Sequence, residues 1–348
     1  RRLGLHDAVL VGLGSMLGAG VFVAFAPAAE AAGHLLLLAL AIAAVIAAAN
    51  ALSSARLAAR YPESGGTYVY GRERLGPYWG YLAGSAFVAG KTASCSAMAL
   101  VVGEAVWPGH GGFVGALVVM VVAAIDYLGV QRSAAVTRLV VALVLVVLAA
   151  LVAALLISPP GRFVDPSLGE AVAPLGVLQG AGFLFFAFAG YARIATLGDT
   201  VVRPERTIPR AIGWGVAITL TLYAAVAVTL LVRLRPEGIV TSAAPLRDLA
   251  GGVSSWWALT IGVVAGLAAL GALWALLLGV GRTLMAMGQR RDLPAALGVT
   301  ATAATGEKVP RVASLLVAAV VGVLAVYPLF LWLVAVPTAA VAAVVHSP

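Results

Sequence analysis

Charged residues are scarce in this sequence. Asp, Glu, Lys and Arg make up 10% of the 348 residues, whereas hydrophobic residues make up 62%. Soluble domains carry about 25% charged residues, so the composition excludes an ordinary soluble domain. The mean hydropathy of +1.05 supports the same conclusion. The chain is therefore predicted to be an all-α polytopic membrane protein.

Cysteine and the usual constellations of reactive groups are missing as well. Cys95 is the one cysteine, which excludes a disulfide framework or a cysteine metal cluster within the chain. The four histidines lie near the ends of predicted spans, without ligand spacing, at His6, His34, His110 and His346. The sequence has no phosphate loop, nucleophile elbow or paired carboxylates. We therefore expect neither an enzyme nor a cofactor or metal site.

Long apolar runs are what the sequence has instead. A helix needs about 20 mainly apolar residues to cross the hydrocarbon core of a bilayer. Ten such runs lie between charged or turn-rich breaks and are numbered here as spans one to ten. They cover residues 9–31, 35–55, 78–106, 112–130, 137–157, 174–198, 209–232, 256–286, 310–327 and 329–346.

The net charge of +8 reflects how basic residues are distributed between loops. If the N-terminus is cytoplasmic, sixteen of the 22 Lys and Arg residues lie on the cytoplasmic side and four on the outer side. Lys91 and Arg193 lie within spans. This is the positive-inside pattern. It predicts a multi-pass protein of the plasma membrane with a cytoplasmic N-terminus, whose basic residues contact anionic lipid and not nucleic acid.

The spans divide into two halves of five. Residues 1–157 hold spans one to five, residues 158–173 form an outer connecting loop, and residues 174–348 hold spans six to ten. Because each half has an odd number of spans, the second half enters the membrane from the opposite side. If the halves share a fold, they form an inverted repeat, and spans one and six cross near the midplane.

Both of these crossing spans are rich in glycine. Gly12, Gly14, Gly18 and Gly20 lie within nine positions of span one, and each costs a helix about 1 kcal/mol relative to alanine. Backbone N–H and C=O groups that lose their helical partners within the membrane must be buried in protein or line a polar cavity. The pattern therefore predicts a broken helix at a binding site. Two alternatives stay open. Gly14 and Gly18 also fit a GxxxG packing face, and the aromatic cluster near Gly190 also fits a lipid-facing helix.

Four motifs resemble those of the amino acid/polyamine/organocation superfamily of transporters. They are GSMLGAGVF at 14–22, YPESGGTY at 61–68, FFAFAGY at 185–191 with the exit loop 199–211, and RTLMAM at 282–287 with DLP at 292–294. The resemblance covers nearly the whole chain and implies a five-plus-five inverted-repeat fold with the substrate between broken helices one and six. Members usually have twelve helices. The chain is therefore expected to be a fragment lacking helices eleven and twelve, or to have an abnormal terminus.

The resemblance also implies which residues surround the substrate. Backbone N–H groups at the break in span one would bind its carboxylate, which selects Ser15, Met16, Gly18, Ala19 and Gly20. In span six, free carbonyls would accept hydrogen bonds from the substrate ammonium, and aromatic side chains would close the pocket. This selects Phe186, Phe188, Ala189 and Gly190.

Arg193 departs from the pattern of the amine-exporting members, several of which carry an acidic residue shortly after the glycine. A cation beside the site would repel a polyamine or another dicationic substrate at low dielectric. We therefore include Arg193 among the substrate-binding residues. The alternative is an arginine that snorkels to the inner interface.

Lys91 in span three is the candidate for coupling transport to protons. The resemblance implies a lysine in helix five of cation-independent members, but this sequence has Val144 at about that place. A charged residue within a span is a functional candidate by default, and a desolvated lysine can exchange protons. The alternatives are a fixed ion pair with Glu104 or Asp126, or a place at the interface.

These features together predict a secondary active transporter of amino acids that works by alternating access, either coupled to protons or as an exchanger. The first alternative is a transporter of another organic amine such as ethanolamine, which would not need a site for a carboxylate. An alternative of another class is a receptor with a transporter fold, which binds a ligand without moving it.

Overall fold

The computed structural model describes most of the chain. The described residues are 3–18, 20–61, 65–127, 134–157, 175–195, 201–234, 239, 244–302 and 308–326. Nearly all of them are helical. Within these ranges the one sheet is a short antiparallel pair of strands, β1 (Ala301–Thr302) and β2 (Lys308–Val309). The predicted all-α class is confirmed.

Fourteen α-helices lie within the described residues. In chain order they are α1 Leu5–Met16, α2 Gly20–Val23, α3 Phe25–Ala32, α4 Leu36–Arg60, α5 Thr67–Leu75, α6 Pro77–Val106, α7 Gly111–Tyr127, α8 Ala134–Ile157, α9 Gly176–Phe188, α10 Ala192–Ala195, α11 Pro204–Arg233, α12 Pro245–Val253, α13 Ser255–Gln289 and α14 Arg311–Val326. The described residues also form 3₁₀ turns at Gly33–Leu35, Ala189–Tyr191 and Ala295–Gly298.

Helices long enough for a membrane account for most of the described residues. Seven stretches are long and apolar enough to cross, and α7 and α14 are shorter apolar helices. Together they correspond to predicted spans one to nine, so the chain is a multi-pass membrane protein. Span ten lies outside the described residues. The division into repeats at residues 157 and 174 stays a prediction, because the connecting loop 158–173 also lies outside them.

Sequence patterns missed two helices and the start of a third. α5 has the polar sequence TYVYGRERL and α12 has nine residues, so neither resembles a 20-residue apolar run. α11 begins at Pro204 and not at residue 209, because proline suits the first position of a helix. Pro209 then lies inside that helix.

The spans pack into two groups. The bundle contains α1 to α4 and α9 to α11, and the scaffold contains α6, α7, α13 and α14. α8 packs against both groups. Within the bundle, α4 buries a stripe of alanines at Ala39, Ala43, Ala47, Ala51 and Ala55. Small side chains allow helices to approach closely in a membrane, and α4 packs against α9 and α11.

A polar cluster joins α5 to the end of α13. The Tyr68 hydroxyl donates to Asp292 Oδ2 at 2.6 Å, and Arg72 pairs with the same oxygen. Arg290 pairs with Glu73 at 2.8 Å. Burial would raise the pKa of Asp292, but the bonds from Tyr68 and Arg72 outweigh it and hold that pKa below its ordinary value. The motifs at 61–68 and 292–294, which are far apart in the sequence, therefore contact each other through Tyr68 and Asp292.

We expect Asp292→Asn to lower the Tm at pH 7 by about 2 °C. A partly exposed ion pair contributes about 1 kcal/mol, which shifts the Tm of a large protein by only a few degrees. Because the folded-state pKa of Asp292 is lowered, its contribution is complete above the unfolded pKa of about 3.9 and is lost as the pH falls through the folded value. The Tm difference should therefore close below about pH 4.

Thermal unfolding in detergent at several pH values measures this difference. Glu73→Gln is the matched control, because it breaks only the neighbouring pair with Arg290 and leaves Asp292 its partners. A Tm difference between wild type and Asp292→Asn that is the same at pH 7 and below pH 4 would show that the charge of Asp292 does not stabilise the fold.

Candidate functional site

Span one is broken, as its glycines predict. α1 ends at Met16, and the Leu17 N–H still bonds to the Leu13 carbonyl at 2.7 Å. Helix resumes at Gly20. Ala19 lies outside the described residues. Among the described residues between α1 and α2, the non-helical backbone is therefore that of Leu17 and Gly18.

Span six is also irregular, in its C-terminal half. α9 ends at Phe188, a 3₁₀ turn covers Ala189–Tyr191, and α10 follows from Ala192. The 3₁₀ turn changes the hydrogen-bond pattern from that of an α-helix, so carbonyls at the end of α9 lose their usual partners.

The two irregular segments touch each other. A Cβ added at Gly190 would lie 2.5 Å from the Met16 nitrogen and 2.5 Å from the Ser15 carbonyl carbon. A Cβ added at Gly20 would lie 2.7 Å from the Ala187 Cα. Only glycine allows backbones to approach this closely at these two positions. Of the residues selected from the sequence, the structure thus brings Ser15 and Met16 of span one against Gly190 of span six, and Gly20 against the helix just before it.

Gly18 makes a different contact from Gly14. A Cβ added at Gly18 would lie 2.4 Å from the Ala272 Cβ on α13, whereas one added at Gly14 would lie 3.3 Å from Val141 on α8. The two glycines therefore face different helices, and they do not form one GxxxG packing face. Met98 of α6 also comes near Gly18, at 3.6 Å from the same added atom. The break in span one thus faces the scaffold.

Tyr223 of α11 ties the two irregular segments together. Its ring is fully buried, and its hydroxyl donates to the Met16 carbonyl at 2.6 Å and lies 3.2 Å from the Ala187 carbonyl. Both carbonyls are near helix ends and need such a donor. Sequence analysis missed this residue. The available signal was a tyrosine in the middle of a span, because a buried hydroxyl usually finds a hydrogen-bond partner.

Lys91 reaches the same region from the scaffold. Its Nζ donates to the Ala189 carbonyl at 3.0 Å. The two acidic residues considered as its partners bond elsewhere. Glu104 accepts from the Gly109 and Gly111 N–H groups at 2.9 and 3.1 Å, and Asp126 accepts from a tryptophan. In the described part of the chain, the contact of Lys91 is therefore with the irregular turn of span six.

The other selected residues differ in their surroundings. The Ser15 hydroxyl donates to the Val11 carbonyl of its own helix at 3.1 Å. Phe186 is half-buried. Phe188 is fully buried and packs edge to face on Tyr223, with ring centroids 5.1 Å apart. The contact that Phe188 makes in this structure is thus within the bundle.

Arg193 lies against the scaffold one helical turn beyond Gly190. A Cβ added at Gly279 of α13 would lie 4.0 Å from the Arg193 Cδ. The Arg193 Nε is buried within the protein. The side chain therefore crosses from the bundle to the scaffold.

The chain resembles known transporters over most of its length. It is 55% identical over 327 residues to an uncharacterised transporter of Mycobacterium tuberculosis, covering 93% of this chain and 73% of the relative. It is 26% identical over 278 residues to a branched-chain amino acid permease of Bacillus subtilis, covering 72% and 57%. It is 29% identical over 305 residues to a vacuolar cationic amino acid transporter of Arabidopsis thaliana, covering 78% and 50%.

A solved structure and a family model agree with this resemblance. The crystal structure of MhsT in complex with L-phenylalanine superposes with a TM-score of 0.64, at 18% identity, and covers 92% of this chain and 78% of that one. At this identity the likeness shows the fold alone. The model of the family described as amino acid permease matches residues 3–346. Because this match spans nearly the whole chain, the protein is a transporter that belongs to the amino acid permease family.

Proposed function

We propose that this protein is a secondary active transporter of amino acids that works by alternating access in the plasma membrane, with a cytoplasmic N-terminus. The observation that carries the proposal is the contact of Gly190 with the backbone of Ser15 and Met16, where two interrupted spans meet. An interrupted helix at this depth offers free backbone groups to a ligand. The similarity to a branched-chain amino acid permease and to a cationic amino acid transporter supports amino acids as the class of ligand.

The substrate carboxylate would bind at the break in span one. The helix that resumes at Gly20 continues through α3, since the Ala24 N–H bonds to the Gly20 carbonyl at 3.0 Å and the Ala28 N–H bonds to the Ala24 carbonyl at 3.2 Å. The first N–H groups of such a helix have no acceptor within the helix, and its dipole favours an anion there. We assign this role to the backbone N–H groups around Gly18 and Gly20, since Ser15 and Met16 lie in the last turn of α1 and the Leu17 N–H bonds to the Leu13 carbonyl.

The substrate ammonium would bind to carbonyls at the irregular turn of span six. Lys91 already places a primary ammonium 3.0 Å from the Ala189 carbonyl. The geometry at this oxygen therefore suits the group that an amino acid carries. An incoming ammonium would share the carbonyl, which has two lone pairs, or would displace Lys91 from it.

The substrate side chain would lie between the bundle and the scaffold. Gly18 faces Ala272 and Met98 there. Phe186, four residues before Gly190, is half-buried. These groups are small or apolar and would suit a side chain of moderate size. Phe186 and Phe188 would rearrange to close the pocket over the ligand.

Uptake into proteoliposomes tests this function. Purified protein is first screened against amino acids and ethanolamine by thermal shift, because a ligand at 100 times its Kd stabilises the folded state by about 2.7 kcal/mol. The stabilising compound, radiolabelled, is then offered to proteoliposomes with and without a pH gradient. We expect an amino acid to accumulate above the level in protein-free liposomes.

Two outcomes would contradict the proposal, and a third would identify the mode of transport. A ligand that binds but does not accumulate, either under a pH gradient or with unlabelled substrate inside the liposomes, would indicate a receptor. Stabilisation by ethanolamine and by no amino acid would indicate an amine transporter without a carboxylate site. Accumulation that responds to internal substrate and not to pH would keep the transporter but identify an exchanger in place of proton coupling.

A further inference from the structure

Lys91 bonds to a carbonyl that the proposed function gives to the substrate ammonium. Its Nζ donates to the Ala189 carbonyl at 3.0 Å. The side chain ends in a primary ammonium with three N–H donors, which is the group that a free amino acid carries on its Cα. Among the described residues Lys91 forms no ion pair, so a carbonyl and not a carboxylate holds its charge there. At this oxygen, Lys91 is a chemical equivalent of the substrate.

The face of α6 that carries Lys91 lies against both interrupted spans. Met98 follows Lys91 by seven residues, which is about two helical turns and puts the two side chains on one face. The Met98 Cε would lie 3.6 Å from a Cβ added at Gly18 in span one, whereas Lys91 contacts the 3₁₀ turn of span six. Lys91 therefore lies on the side of the scaffold that the proposed substrate would contact.

The bond from Lys91 also joins two groups of helices. Lys91 belongs to α6 of the scaffold, and Ala189 belongs to the turn that follows α9 of the bundle. In alternating access, one group of helices moves against the other around the substrate site. A carbonyl without a donor at membrane depth costs free energy. A carrier that has released its substrate therefore needs another donor on this oxygen while it changes conformation.

We propose that Lys91 is a substitute for the substrate ammonium, which binds the Ala189 carbonyl after substrate has left and is displaced when substrate binds. The inference rests on the proposed function and deepens it. As a competitor, Lys91 lowers the apparent affinity for substrate, because substrate must displace it. As a substitute, it allows the carrier to return without substrate. Net uptake requires that return step, whereas exchange of one substrate molecule for another does not.

Net uptake and exchange separate this role from a structural one. Wild type and Lys91→Met are reconstituted and offered labelled L-leucine and L-lysine, as a neutral and a cationic probe. The liposomes contain either buffer, for net uptake, or the same unlabelled compound, for exchange. We expect Lys91→Met to lose about tenfold or more in net uptake, because the Ala189 carbonyl is left without this donor in the return step. Exchange should stay close to the wild-type rate.

The Kd of the same two probes gives a second readout. Thermal shift on purified protein measures it, because a bound ligand stabilises the folded state. We expect the Kd of the transported probe to fall several-fold in Lys91→Met, since the competing ammonium is gone. A residue that only supports the fold would leave the Kd unchanged or raise it, so the direction of the change distinguishes the two roles.

Three further variants are controls. Lys91→Arg keeps a cationic donor and should retain net uptake when no pH gradient is applied. Lys91→Gln keeps an N–H donor without the charge, so it should show the same difference between net uptake and exchange to a smaller extent, and it replaces Lys91→Met if that variant does not fold. Ser94→Ala removes a hydroxyl that bonds within the same helix and should behave as wild type in both assays.

Equal losses of net uptake and exchange in Lys91→Met, or a higher Kd, would overturn the inference and leave Lys91 a structural or substrate-binding residue. Wild-type protein that exchanges a probe but shows no net uptake would also overturn it, while the protein remains a transporter. The failure of the proposed function looks different, because wild-type protein would then neither bind nor move any amino acid.

Discussion

Gly190→Ala is expected to reduce uptake by at least an order of magnitude. The added methyl group would lie 2.5 Å from the Met16 nitrogen and the Ser15 carbonyl carbon, both of which are backbone atoms that cannot rotate away. Spans one and six would have to separate by about 1 Å, because carbon atoms pack at about 3.5 Å or more. A shift of that size at a binding site can cost about 100-fold in rate.

The measurement compares uptake and Tm for this variant with those of Gly182→Ala. Gly182 lies in α9, the helix just before the 3₁₀ turn that holds Gly190; it is exposed and has no heavy atom within 4 Å of an added Cβ. Alanine favours helix by about 1 kcal/mol over glycine, so this control should keep both its uptake and its Tm. If Gly190→Ala transports as well as Gly182→Ala does, the close approach of the two spans is not required for transport.

Lys91→Met is expected to remove most uptake and to abolish its dependence on pH. The substitution preserves an unbranched side chain but removes the ammonium that donates to the Ala189 carbonyl at 3.0 Å. The carbonyl would lose a charge-assisted bond, the stronger class of hydrogen bond. Without an ionisable group at this place, proton exchange through Lys91 could not occur.

Two controls support the test of Lys91. Lys91→Arg keeps the charge and a donor but exchanges protons far less readily, because the pKa of arginine exceeds about 12. It should bind the substrate yet lose the pH response. Ser94→Ala removes a hydroxyl that bonds only within the same helix, to the Gly90 carbonyl at 2.9 Å, and should behave as wild type. An unchanged pH profile in Lys91→Met would remove Lys91 from the coupling mechanism.

Patterns within single segments predicted the membrane spans and the interruption of span one. Hydrophobic runs need no partner to be recognised, since the bilayer itself is the solvent. Glycines at Gly14, Gly18 and Gly20 weakened a helix locally, and α1 does end at Met16. The helix α5 was missed because its nine residues are too few and too polar for a span, and it is held by contacts with α6 and with Asp292 and Arg290, which follow α13.

Contacts between distant segments could not be predicted in the same way. The hydrogen bonds of Tyr223, Asp126 and Asp292 join them to partners that are 207, 148 and 224 residues away in the sequence. No periodicity or spacing links such residues. The partner of Lys91 also had to come from the fold, because the two acidic residues considered from the sequence are occupied elsewhere.

The sequence by itself determined that this is a multi-pass helical membrane protein with a weak point in its first span, because hydrophobicity and backbone propensity act within one segment. The tertiary structure decided which free backbone groups meet at that weak point and which side chains hold them. Helix packing produces the close approach of Gly190 to Met16 and the hydrogen bonds from Tyr223 to the Met16 carbonyl and from Lys91 to the Ala189 carbonyl. Such contacts depend on how whole helices approach one another, and local sequence does not encode that approach.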